Sequence, residues 1–243
     1  MYSYYDMLVD VHCHLYEFRE DEISSFLGKV LIVGVAEDFE SSLKLIEYSK
    51  RYSITPCVGL HPWLVKDEKA VEEARRILEF FDDVKCLGEI GLDSRFVPQT
   101  IDLQRKVFEV FLEKASRDDL VVNLHSPGAW REVYKLLRKW RIKKALFHWY
   151  TGPLDLINEI VSSGYYISIN PAVRIQVKHQ KVVEKTPLEK MLTESDGPYK
   201  YRTLYLTPLL VPQLVEDIAR ILKVEKGIVE ETIYENFKAL FKD

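Results

Sequence analysis

Short, almost continuously apolar runs alternate along this chain with stretches in which apolar and charged residues recur at helical spacing. The runs cover residues 7–12, 30–36, 55–60, 85–90, 120–125, 145–149, 165–169 and 191–194. They are rich in β-branched and aromatic residues, the pattern of strands buried on both faces. Between them, residues 39–51 set Leu43, Leu45, Ile46 and Tyr48 against charges, and residues 68–81 place Val71, Ala74, Ile77 and Leu78 on one stripe. Residues 99–117 align Val107, Val110, Phe111 and Ala115, residues 129–140 and 154–162 follow, and residues 20–27 form a shorter segment. Eight strands, each followed by a helical segment, is the count of a closed (β/α)₈ TIM barrel, the fold class expected here. Periodicity alone also admits a doubly wound open sheet. Residues 208–241 hold two further helices, with a break expected near Lys226-Gly227.

No Pro/Gly/Ser-rich linker interrupts the pattern, so residues 1–243 read as one domain. The net charge of −4 argues against a basic face for a long DNA duplex. A small-molecule or oligonucleotide substrate is still possible where bound metals supply local positive charge. Cys13, Cys57 and Cys86 are odd in number and fit no disulfide or zinc-finger spacing, so buried reduced thiols are expected. No run approaches the ~20 apolar residues of a membrane span. The Tyr-rich residues 1–6 lack a signal-peptide core. A cytoplasmic protein with no membrane partner is the expectation, and the pattern leaves oligomeric state open.

The polar residues that interrupt the apolar runs fall at one end of them. His12 and His14 close the first run, His61 the third, His125 the fifth and His148 the sixth; Glu89 lies in the fourth, and Asp196 follows the eighth. Only His179 lies apart, in a helix or loop. In a parallel barrel the C-terminal strand ends converge on one mouth, where polar residues are catalytic. A carboxylate inside Cys86-Leu87-Gly88-Glu89-Ile90 needs a cation or strong donors, because burying it alone costs several kcal/mol. On an extended strand His12 and His14 face the same side and reach one metal. Four histidines and two carboxylates exceed the needs of one ion and suit two divalent ions ~3.5–4 Å apart, bridged by a carboxylate. Mixed ligation of this kind suits Zn²⁺, Mn²⁺ or Co²⁺, with Mg²⁺ admitted if more waters bind.

The motifs Val9-Asp10-Val11-His12-Cys13-His14-Leu15, Val58-Gly59-Leu60-His61-Pro62-Trp63 and Leu87-Gly88-Glu89-Ile90-Gly91-Leu92-Asp93 resemble those of the TatD family of metal-dependent hydrolases. This family belongs to the amidohydrolase-like barrel superfamily. Leu124-His125-Ser126, Phe147-His148-Trp149, Glu194-Ser195-Asp196-Gly197-Pro198 and Asn236-Phe237-Lys238-Ala239-Leu240-Phe241 continue the resemblance in order. It implies that His12, His14 and Asp196 hold one metal, that His125 and His148 hold the second, and that Glu89 bridges them. It also implies deoxyribonuclease or other phosphodiesterase activity, with Asp196 as general base and Glu89 in the catalytic centre. Hydrolysis of a non-phosphate ester or amide, such as a lactone or cyclic amide, is the alternative on the same site. The departures bear on substrate: Pro127 stands where the family has an arginine, and Trp63 where it often has histidine. His61, Arg95, Arg174 and Arg202, with Lys178 and Lys200 nearby, are the expected substrate-binding residues. Trp63, Trp149 and Tyr150 are candidates for stacking bases, with core packing favoured for Trp149.

Overall fold

The computed structural model describes residues 8–242. Met7, with which the opening strand was expected to start, lies outside that range, as do the Tyr-rich residues 1–6. Eight parallel strands carry the architecture: β1 (Val9–Cys13), β2 (Leu31–Val35), β3 (Ile54–Cys57), β4 (Cys86–Gly91), β5 (Val121–His125), β6 (Lys144–Phe147), β7 (Tyr166–Ile169) and β8 (Met191–Thr193). Two seams distinguish a barrel from an open sheet. Across the first, Val58 N–H donates to Cys86 O at 3.2 Å and Gly88 N–H to Val58 O at 2.9 Å, joining β3 to β4. Across the second, Asp196 N–H donates to His12 O at 2.9 Å and Thr193 Oγ1 to Val9 O at 2.5 Å, joining β8 to β1. The last strand therefore bonds to the first, and the doubly wound alternative is set aside.

Strands β1 to β6 are each followed by a helix, in order α1 (Glu20–Phe26), α2 (Phe39–Arg51), α3 (Lys69–Phe80), α4 (Ile101–Asp118), α5 (Trp130–Lys139) and α6 (Leu154–Ser162). Their apolar stripes supply Leu45, Ala74, Ile77, Val107, Phe111 and Val133 to the layer around the strands. One helix and one hairpin were not assigned from the pattern. α7 (Val177–Lys185) buries only Val182 and Val183, so its charged sequence carried too weak a stripe to read. β9 (Tyr199–Tyr201) and β10 (Leu204–Leu206) form an antiparallel hairpin whose turn takes Arg202 to φ 53°. Helices α8 (Val211–Leu222) and α9 (Lys226–Phe241) end the fold. Their break spans residues 223–225, directly before the expected Lys226-Gly227, and opens with Lys223 in the left-handed region at φ 56°. Gly227 sits inside the first turn of α9.

The expectation of three reduced thiols is corrected. Cys57 and Cys86 are joined by a disulfide, with their Cα atoms 4.5 Å apart. Cys57 ends β3 and Cys86 begins β4, so the barrel's first seam sets them side by side across 29 residues of sequence. Strand pairing, which motif spacing does not reveal, made the contact. Cys13 is free and buried. The cytoplasmic expectation loses the support it drew from these thiols. Among the described residues no helix is long and apolar enough to cross a membrane.

Candidate metal centre

The strand ends deliver their polar side chains to one point. His12 is the fourth residue of β1, and its strand face is shared with His14 one step beyond. Glu89 stands in β4, buried to 2% exposure. Its two carboxylate oxygens face different sets of nitrogens. Oε2 lies 3.3 Å from His12 Nε2 and 3.5 Å from His14 Nε2. Oε1 lies 2.5 Å from His125 Nδ1, 2.9 Å from His148 Nε2 and 3.4 Å from His61 Nε2. Asp196 Oδ1 closes the first set at 3.5 Å from His12 Nε2 and 3.4 Å from His14 Nε2. All six expected metal ligands are thus brought together, and His61 with them.

The other nitrogen of each ring tells ligand from donor. Asn123 Nδ2 donates to Val11 O at 2.8 Å, which turns Asn123 Oδ1 towards His12 Nδ1 at 2.8 Å. His12 Nδ1 therefore carries the proton, and Nε2, buried with no hydrogen-bond partner, keeps a free lone pair for a metal. Asp93 Oδ2 holds His125 Nε2 at 2.9 Å and leaves Nδ1 facing the centre. Glu194 Oε1 faces His148 Nδ1 at 3.6 Å and leaves Nε2 facing it. His61 differs, because its Nδ1 accepts the Trp63 N–H at 3.1 Å. Its neutral form then carries hydrogen on Nε2, making the centre-facing atom a donor rather than a ligand. Oxygen-held imidazoles around a buried carboxylate match the surroundings of metal-ligating histidines.

Charge follows from this geometry. Burial pushes the Glu89 carboxyl up, but His61, His148, His12 and His125 reverse that and hold it well below the usual range. Burial likewise pulls His14 down, and the Asp196 hydrogen bond with the Glu89 and Asp196 charges lifts it to about 9. His148 stands well above its ordinary value against burial, through Glu89 and Glu194. Asp196 is held below its ordinary value despite burial, by His14, His148 and His12. Histidines that retain protons around acids at neutral pH mark a place where cations are wanted, and this donor set suits divalent metals.

A cavity of about 610 Å³ opens above the centre. It is lined by His61, Arg95, Lys178 and Arg202 as expected, but not by Arg174 or by Lys200, which is exposed to solvent outside it. Arg174 turns away, with Nε 3.0 Å from Asp217 Oδ2 and Nη1 on Gln213, both on α8. That ion pair, invisible in the sequence, removes it from the expected substrate-binding set. Tyr150 is also removed: it is buried and donates to Pro153 O at 2.7 Å. Trp149 lines the cavity rather than packing in the core, its ring 5.1 Å from Tyr201 and 6.2 Å from His179. His179, set apart in the sequence, comes to the same cavity on α7. Burial, then Lys178 and Arg202, bring its pKa down to about 4, so it is neutral at pH 7. Asn123, Asp93 and Glu194 were missed as holders of the ligating rings. Each is polar in or beside an apolar run, and Asn123 and Glu194 lie two residues from a site residue, which is the signal that could have found them.

Fold and site together define a metal-dependent hydrolase of the α/β-barrel type. The sequence matches the TatD-related DNase family over residues 9–242, and the chain belongs to that family. It is 30% identical over 244 residues to an uncharacterized metal-dependent hydrolase of Methanocaldococcus jannaschii, with 96% of each chain covered. It is 33% identical over 213 residues to the human deoxyribonuclease TATDN3, covering 79% of this chain and 78% of the human one. A crystal structure of a TatD homologue from Escherichia coli K12 superposes with a TM-score of 0.85 at 22% identity, covering 98% of both chains.

Proposed function

We propose that the chain is a two-metal phosphodiesterase that acts on DNA oligonucleotides. The observation that carries this reading is Glu89, whose two oxygens separate the His12/His14/Asp196 set from the His125/His148 set. The human relative's name, a deoxyribonuclease, supports the choice of substrate. Two divalent ions held there would polarise a phosphoryl oxygen and acidify a water towards neutral pH. Asp196, ionised and beside His12 and His14, accepts the proton of the attacking water. His61 presents its Nε2–H towards the same space and donates to an oxygen of the phosphate. Trp63, 48% exposed and 5.9 Å from the Phe96 ring, offers a face for a base, with Arg95 beside that pair.

The test is hydrolysis of short single-stranded oligonucleotides, bis(p-nitrophenyl) phosphate and p-nitrophenyl acetate, each with Zn²⁺, Mn²⁺ or Mg²⁺. Cleavage of the oligonucleotide and the diester, lost on chelation, is expected. Activity confined to the carboxylate ester would overturn the reading. The role of His61 has its own check. His61→Ala is expected to keep its metal content and lose about 10²–10³-fold in kcat, the cost of one donor to developing charge. Loss of metal from that variant would make His61 a ligand instead.

A further inference from the structure

The cavity wall is electrically lopsided. On the β1–β2 side stand Glu17 and Glu37, tied by Tyr16, whose hydroxyl donates to Glu37 Oε2 at 2.7 Å. Across from the strand ends, α7 and the β9–β10 hairpin contribute Lys178 and Arg202. Among the described residues, neither cation has a carboxylate oxygen within 4.0 Å. Lys178 Nζ instead lies 5.9 Å from the Trp130 ring centroid. The Arg202 guanidinium lies against the Gln176 side-chain amide at 2.9–3.1 Å, a neutral neighbour that does not cancel its charge. Arg174, four residues before Lys178, is by contrast neutralised by Asp217. Two uncompensated cations on one wall of a cavity concentrate anions there. Trp149 lines the same cavity, its ring 5.1 Å from that of Tyr201.

We propose that Lys178 and Arg202, with Trp149, form a second phosphate subsite that holds a phosphate one nucleotide away from the bond that is cut. This rests on the phosphodiesterase reading. The subsite is separate from the reacting phosphate because its cations sit on α7 and the hairpin rather than on the strand ends. Neither comes within 4.0 Å of the Glu89 or Asp196 carboxylates. Tyr199, 48% exposed, and Tyr201 stand on the same hairpin and contact the Trp149 ring, giving the intervening base an aromatic surface. Glu17 and Glu37 repel a polyanion from the other wall, so the strand leaves the centre towards α7.

Three thymidine dimers test this: TpT, with one phosphate, and pTpT and TpTp, with a second at either end. Affinity is measured by calorimetry on the metal-loaded chain carrying Asp196→Asn, so that the dimers persist, and kcat/KM is measured on the chain without that change. One of the two phosphorylated dimers is expected to bind about tenfold tighter than TpT, as a charge-assisted contact allows. The gain should fall to about twofold or less when Lys178→Ala and Arg202→Ala are combined. Arg202→Lys should keep part of it. Lys200→Ala, an exposed change on the same hairpin outside the cavity, should keep all of it. Equal affinities for the three dimers, or a gain that survives the double variant, would overturn the subsite. Absence of dimer cleavage would instead overturn the phosphodiesterase reading, and the binding comparison would still decide whether the cationic wall takes a phosphate.

Discussion

At the scale of single residues, Asp196 and Glu194 separate two roles that the sequence left close together. Glu194 is fully buried, with Ser168 Oγ donating to its Oε2 at 2.5 Å, and its other oxygen faces His148. Asp196 retains 14% side-chain exposure and faces the cavity. Asp196→Asn is therefore expected to lose about 10²–10⁴-fold in kcat while the barrel stays folded. Glu194→Gln is expected to weaken metal binding about 10–100-fold and to recover most of its turnover at saturating metal, as a group that orients a ligand does. Steady-state kinetics paired with metal titrations check both, and full activity in metal-loaded Asp196→Asn would remove the general-base role. The ligating residues were legible because strand periodicity and the convergence of strand ends are both written in the sequence. The groups behind them were less so. Asn123 reads as one polar residue in the run Val121-Val122-Asn123-Leu124, and only the paired strands show that it fixes the His12 tautomer. The loss of Arg174 to Asp217 depends on how α8 docks, which no local pattern encodes.

At the scale of elements, the eight apolar runs became eight strands, and the differences have local causes. The run at 55–60 becomes a strand only as far as Cys57, after which Gly59 and Leu60 lead the chain to His61 at the mouth. Strand β4 depends on Gly91, whose φ of 146° suits glycine. A Cβ added there would meet His125 O at 2.0 Å. Gly91→Ala is expected to force β4 away from β5, moving Glu89 relative to His125. The expected cost is about 1–3 kcal/mol, as for other overpacked sites, together with weaker metal retention. Denaturant unfolding and metal titration measure the two effects, and unchanged values in both would contradict this account of the β4–β5 contact. Helix α7 and the hairpin escaped notice because one is largely charged and the other has three-residue strands. Both form the wall of the cavity, so the least legible elements of this chain are those expected to set its substrate.

At the scale of the whole molecule, proton and metal compete for one cluster. His14 is lifted to about 9, and His125 and His148 are also raised. A histidine raised in the folded state contributes stability that is fully present below its unfolded pKa of about 6.5 and is lost as pH rises through the folded value. The metal-free chain is therefore expected to lose stability between about pH 6.5 and 9, and the rise in Tm on adding metal should be largest at the alkaline end. Thermal unfolding across that range, with and without metal, checks this; a metal-free Tm that climbs with pH would contradict it. The barrel itself was legible, because eight apolar runs with helical segments between them leave few other ways to bury both faces of each strand. The pairing of Cys57 with Cys86 was not, since it depends on which strands become neighbours. The central claim is that Glu89 joins two metal positions, one with His12, His14 and Asp196 and one with His125 and His148. Anomalous scattering from crystals of the metal-loaded chain, with elemental analysis of the same sample, tests it most directly. The account requires two ions per chain about 3.5–4 Å apart on either side of Glu89; one ion at saturation, with His125 and His148 left without metal, would contradict it.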